Sequence, residues 1–139
     1  MMQTVSTETR VLCVSAALRE GAAYLKQRGI DTPQREAEHL LSAVLRCSRL
    51  HLLLEGQSGL PQAAHDRFWR YLRRRATREP LQYITGQVEF CGMTLSVSKG
   101  VFIPRPETEL IVEAAKTLPP PRRILDLCTG SGALAVTLA

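Results

Sequence analysis

The chain has 139 residues, 45% of them hydrophobic and 22% charged, with a net charge of +5 at pH 7; this allows one cored domain, or a small domain plus part of another, and excludes a disordered chain. No stretch reaches the roughly 18 consecutive apolar residues of a membrane span, and "MMQTVSTETR" lacks the basic start and apolar run of an export signal, so the expected location is the cytoplasm. Cys13, Cys47, Cys91 and Cys128 form no C-x-x-C pair and do not cluster with His39, His51 or His65, so scattered, mostly buried thiols are expected rather than a metal site or a disulfide framework.

Residues 9–28 place Val11, Val14, Leu18, Ala22 and Leu25 at helical spacing, and Gly29 stands where a helix-closing glycine belongs. A second helix follows in "DTPQREAEHLLSAVL". Thr32 is its N-cap, Pro33 its first position, and Ala37, Leu40, Leu41, Val44 and Leu45 its apolar stripe. "SRLHLLLEG" reads as a short third helix capped by Ser48 and closed by Gly56, and Pro61 to Thr77 as a fourth. Short connections make these a small antiparallel bundle. His39 and His51 fall within it and receive no role.

The positive charge is local. "RFWRYLRRRATR" holds six arginines, without which the rest of the chain is nearly neutral. On a helix Arg67, Arg70, Arg74 and Arg78 share one side, Arg73 and Arg75 flank it, and Phe68, Trp69, Leu72 and Ala76 supply the apolar side. A solvated helix face and a surface for acidic protein or RNA both fit this pattern.

The period changes after Glu79-Pro80. Val88, Phe90, Leu95 and Val97 alternate with polar or small residues around Cys91-Gly92, which predicts a β-hairpin. In "VFIPRPETEL", Pro106 suits a helix start, and Glu107 and Glu109 place negative charge in its first turn. "ELIVEAAKTL" is that helix, and "PPPRR" (119–123) a stiff connector. Ile124 to Cys128 is an apolar run broken only by Asp126, predicting a buried parallel strand, and "TGSGALAVTLA" turns through two glycines into a helix. Strand, glycine loop and helix together form the first unit of a doubly wound α/β fold.

Gly130-Ser131-Gly132-Ala133-Leu134-Ala135 fits the G-x-G-x-x-G/A pattern, whose glycines let a ligand approach the backbone and whose helix amides attract anionic groups. Nicotinamide cofactors, flavins and S-adenosylmethionine all use such a loop. Asp126 suits a ligand with a cationic amino group, such as S-adenosylmethionine, and would repel a pyrophosphate. It could also merely cap the loop backbone.

"EPLQYITGQVEFCGMTLSVSKGVFIPRPETELIVE" with "RRILDLCTGSGALAVTLA" resembles the protein-(glutamine-N5) methyltransferases of peptide chain release factors, the PrmC/HemK family. The resemblance covers the whole chain and is strongest in "EPLQYITG" and "FIPRPETE". It implies an α plus α/β fold: a helical substrate-side domain over residues 1–84, a β-hairpin and linker over 85–105, and the start of a Rossmann-like methyltransferase domain over 106–139. It also implies methyl transfer from S-adenosylmethionine to the glutamine of the Gly-Gly-Gln motif of release factors. Cys128, Thr129, Gly130, Ser131 and Gly132 would form the donor loop, supported by Asp126, with Phe102 a candidate cofactor contact. The implied partner is a release factor, with no membrane and no direct nucleic acid; the oligomeric state stays open. A ribosomal-protein glutamine or nucleic-acid methyltransferase is the alternative, and a nicotinamide-dependent oxidoreductase a more distant one.

Two departures stand out. The family more often has glycine where Cys128 stands, and a Cβ is tolerated there only if the local φ is negative. The family's Asn-Pro-Pro-Tyr motif, which holds the acceptor amide, would lie downstream, and this chain contains no asparagine. The expectation is therefore an N-terminal part of the enzyme with no catalytic residue of its own and no turnover alone.

Overall fold

The computed structural model describes residues 12–119 and 123–139. The chain divides into two compact units, Met1–Glu79 and Pro80–Ala139.

The first unit contains α1 (Val14–Gln27), α2 (Pro33–Leu45), α3 (Arg49–Leu54) and α4 (Gln62–Ala76). Helix α1 begins later than its periodicity predicts. Leu12 accepts a hydrogen bond from Leu60 N–H and Cys13 bridges Gly59, so the chain is extended before the helix. The first amides of α1 have no side-chain cap; Val14 N–H donates to the Ser58 carbonyl and Ser15 N–H to the Gly56 carbonyl. The loop after α3 thus satisfies donors that a helix start leaves unpaired. The predicted positions 9–11, Val11 included, lie outside the described residues.

At the other end of α1, Gly29 has φ +69°, Ile30 N–H donates to Leu25 and Gly29 N–H to Lys26. These two bonds form a Schellman closure, which requires the left-handed conformation glycine adopts without strain. Helix α2 starts as expected, with Thr32 at the N-cap and Pro33 inside, although the Thr32 hydroxyl makes no capping bond. Ser48 does cap α3, accepting the His51 N–H at 3.1 Å.

Leu18, Leu25, Leu40, Leu41, Leu52, Phe68 and Leu72 form the buried interior of this unit. Gly21 lets α1 approach α4 closely, because a Cβ there would lie 2.7 Å from Phe68 Cζ. Buried Glu38 accepts bonds from Gln34 and Arg49, which a buried carboxylate requires. Arg75 of α4 makes a two-pronged pair with Glu36 of α2.

The second unit contains α5 (Leu81–Thr85), β1 (Gln87–Phe90), β2 (Met93–Ser96), a 3-10 turn (Pro106–Thr108), α6 (Glu109–Lys116) and α7 (Ala133–Leu138). Strands β1 and β2 pair antiparallel, with Gln87 opposite Ser96 and Phe90 opposite Met93. The predicted hairpin is present, and α5 is an element the alternation did not reveal. Phe90, Val112 and Ala133 form a small core with Cys91, Leu95, Leu134 and Leu138 around it.

Two expectations are corrected here. Ile124 to Cys128 is not a buried strand: the segment is irregular, and Leu125 is 80% and Leu127 75% exposed. A parallel strand draws its hydrogen bonds from neighbouring strands, and the described residues supply only the hairpin. The Rossmann-like start is consequently not formed as a sheet. The thiols are not mostly buried either; Cys13, Cys47 and Cys91 are half-buried and Cys128 is exposed. Among the described residues no helix is long and apolar enough to cross a membrane.

Candidate functional site

The residues of interest lie in the second unit. Pro80 leads into α5, and Gly86 closes it at φ +77° with its N–H on the Gln82 carbonyl at 2.8 Å. After the hairpin, Val97 N–H returns to the Gly86 carbonyl at 3.0 Å. Tyr83 of α5 donates its hydroxyl to the Val101 carbonyl at 2.6 Å. "EPLQYITG" is thereby tied to the residue that precedes "FIPRPETE".

Past this tie the second proline acts on its predecessor. Pro106 disfavours helix at Arg105, whose φ of −92° and ψ of 143° are extended, and itself opens the 3-10 turn. Pro104 is buried while Phe102 is 64% exposed. The Arg105 guanidinium lies 5.9 Å from the Phe102 ring centroid, within reach of a cation–π contact.

Glu109, at the start of α6, accepts the Cys91 N–H at 2.9 Å. Cys91 and Gly92 have φ of 49° and 76°, the doubly left-handed pair of a type I′ turn. The carboxylate holds a non-glycine residue in that turn. Burial, and then the Glu109 charge, push the Cys91 thiol up.

The glycine turn lies between residues 126 and 132. Asp126 Oδ2 accepts the Thr129 hydroxyl at 2.7 Å, Gly132 N–H donates to the Thr129 carbonyl, and Val136 N–H donates to Gly132 as α7 begins. Ala133 anchors that helix in the core. Gly130 and Gly132 take φ of 57° and 76°, with open space where a Cβ would point at Gly132. Cys128 has φ of 59°. The negative φ expected of a side chain at this position is not observed; Cys128 carries a strain of about 1–2 kcal/mol that a glycine would avoid.

Of the predicted site residues, Asp126 and Thr129 are brought into contact, Cys128, Gly130, Ser131 and Gly132 share their turn, and Phe102 faces Arg105. Cys128, Thr129 and Gly130 of the turn are exposed, and the Thr129 bond occupies one of the two Asp126 carboxylate oxygens. Sequence reasoning gave no role to Tyr83, to the ring contact of Arg105 or to the Glu109 bond. Each lies in or beside a motif it quoted, but periodicity carries no sign of a bond between residues eighteen apart.

Comparison with known proteins bears on these motifs. The chain is 41% identical over 119 residues to a protein of Buchnera aphidicola, covering 84% of this chain and 43% of the relative. It is 42% identical over 126 residues to one of Moorella thermoacetica, covering 88% and 44%. It is 45% identical over 108 residues to one of Neisseria gonorrhoeae, covering 77% and 40%. All three relatives are named release factor glutamine methyltransferase. The chain spans less than half the length of each. The model of the PrmC N-terminal domain matches residues 16–86, from α1 through α5 to its closing glycine, and the chain belongs to that family.

Proposed function

We propose that this chain is part of an S-adenosylmethionine-dependent enzyme that methylates the side-chain amide of the Gly-Gly-Gln glutamine of bacterial peptide chain release factors. The observation that carries this is the identity of about 40% with release factor glutamine methyltransferases over most of the chain. In this reading residues 1–84 face the protein acceptor, 85–105 link, and 106–139 begin the catalytic domain, which works in the cytoplasm.

The donor, when bound, supplies a methyl group activated by its sulfonium. Asp126 would offer a carboxylate to the donor's amino group, the turn from Cys128 to Gly132 would receive its carboxylate through backbone amides the turn leaves unpaired, and Phe102 would wall the pocket. Tyr83 and Arg105 would help to place Phe102, through the Val101 carbonyl and the ring contact. Reaction joins the glutamine nitrogen to the methyl carbon, breaks the carbon–sulfur bond and releases one amide proton. An amide is a weak nucleophile, so the rate rests on orientation and on acceptors for its N–H groups. None of the residues in this chain is assigned as a general base.

The test is to incubate the intact protein with labelled S-adenosylmethionine and purified release factor, ribosomal protein and DNA in parallel. Label is expected on the release factor glutamine. Label on nucleic acid alone, or binding of NADH in place of S-adenosylmethionine, would overturn the reading.

A further inference from the structure

The arginine cluster of α4 and the turn that follows it divides into two groups. Arg74 is paired with Glu79, Arg75 with Glu36, and Arg78 donates to the Gly29 carbonyl at 2.7 Å. These three are engaged within the first unit. Arg67, Arg70 and Arg73 are exposed and make no hydrogen bond or ion pair among the described residues. They follow one another at three-residue steps, rising about 9 Å and sweeping about a third of the helix circumference.

Beside this row lies an open groove of about 640 Å³, lined by Glu20 of α1 and by His65, Asp66, Trp69, Arg70 and Arg73 of α4. Its floor is rigid. The Trp69 indole N–H donates to His65 Nε2 at 2.8 Å, and its ring meets Tyr24 edge-on at 5.3 Å.

We infer that Arg67, Arg70 and Arg73 form a docking strip for a protein segment carrying carboxylates at helical spacing, with the groove receiving that segment's flank. Two observations favour protein over nucleic acid. Glu20 and Asp66 share the groove with Arg70 and Arg73, and a continuous phosphate backbone would meet both carboxylates. Among the described residues Trp69 is the one Trp, Tyr or Phe lining the groove, so the groove lacks the succession of rings on which bases of a single strand stack. A protein segment can set carboxylates against the arginines and neutral or basic side chains against Glu20 and Asp66.

This inference rests on the proposed acceptor, which fixes the probe. The affinity of the intact protein for purified release factor is measured at 50 and 300 mM salt, for wild type, for the triple reversal R67E/R70E/R73E and for the triple R67K/R70K/R73K. Far-UV spectra and melting curves check that each is folded. The reversal is expected to weaken binding about tenfold or more at low salt and to flatten its salt dependence, while the lysine variant keeps most of both. Unchanged affinity of the reversal for a release factor that the wild type does methylate sinks the strip alone. Absence of both binding and methylation in the wild type sinks the strip and the proposed function together. Tight binding of single-stranded RNA that the reversal abolishes would overturn the choice of a protein occupant.

Discussion

The two units of the chain bury their apolar residues to different degrees. In the first, Leu25, Leu40, Leu41, Leu52, Phe68 and Leu72 are all essentially inaccessible, and among its described residues the large exposed hydrophobics are the α3 leucines at positions 50, 53 and 54. In the second, Phe90 and Val112 are comparably buried, but Leu110, Ile111, Leu118, Ile124, Leu125, Leu127 and Val136 are exposed. Helices satisfy their own backbone bonds and need only an apolar stripe matched by a neighbour. A parallel strand needs other strands before its apolar side chains have anything to cover. The helical unit therefore covers most of its apolar residues within itself, whereas the second unit leaves many of its own exposed.

The largest expected effect probes that contrast directly. Leu40→Ala should cost about 2–5 kcal/mol, through lost burial and the cavity left behind, whereas Leu125→Ala should stay within about 0.5 kcal/mol. Thermal melting followed by circular dichroism compares them, and equal losses would erase the distinction. Gly21→Ala comes next. Its Cβ would meet Phe68 Cζ at 2.7 Å and Leu72 Cδ1 at 3.2 Å, and overpacking of this kind costs about 1–3 kcal/mol. A neutral or stabilising outcome in a urea melt would show that α1 and α4 can part without loss.

In the second unit Tyr83→Phe removes one hydroxyl from a bond to Val101 and should cost about 1 kcal/mol. Hydrogen exchange should report it as faster opening around residues 97–105, with the amides of α2 unaffected. The smallest effect concerns acid. Burial raises the Glu38 carboxyl, but the hydrogen bonds from Gln34 and Arg49 and the Arg49 charge outweigh it, so the carboxyl is lowered on balance. A lowered folded value stabilises above the unfolded value of about 4.3, and the gain is lost as pH falls through the folded value. The stability gap between wild type and Glu38→Gln should therefore narrow between pH 5 and pH 3; a constant gap would mean that the charge contributes nothing.

What could be read in advance follows the same division. Helices α2 to α4, the Ser48 cap and the Gly29 closure all follow from rules that reach four or five residues along the chain. The beginning of α1 was misjudged because residues 56–60 compete for it. The hairpin was legible in its alternation, whereas α5 is too short to show a period. The turn from Asp126 to Gly132 was found by its pattern, but the left-handed backbone of Cys128 was not, since side-chain identity argued against it. The burial of 124–128 was misread because an apolar run shows only what a segment is suited to cover.

The bond between Tyr83 and Val101 also decides where this protein can be cut and rejoined. The family match runs to residue 86, yet the compact helical unit ends at Glu79. A chimera joined after Gly86 would take the phenol from one parent and its carbonyl from the other. Joined before Pro80, it would inherit both from one source, with Gly86 and Val97 still paired. The more portable boundary is therefore the earlier one, and hybrids spliced on either side of α5 should differ in how often they yield soluble protein.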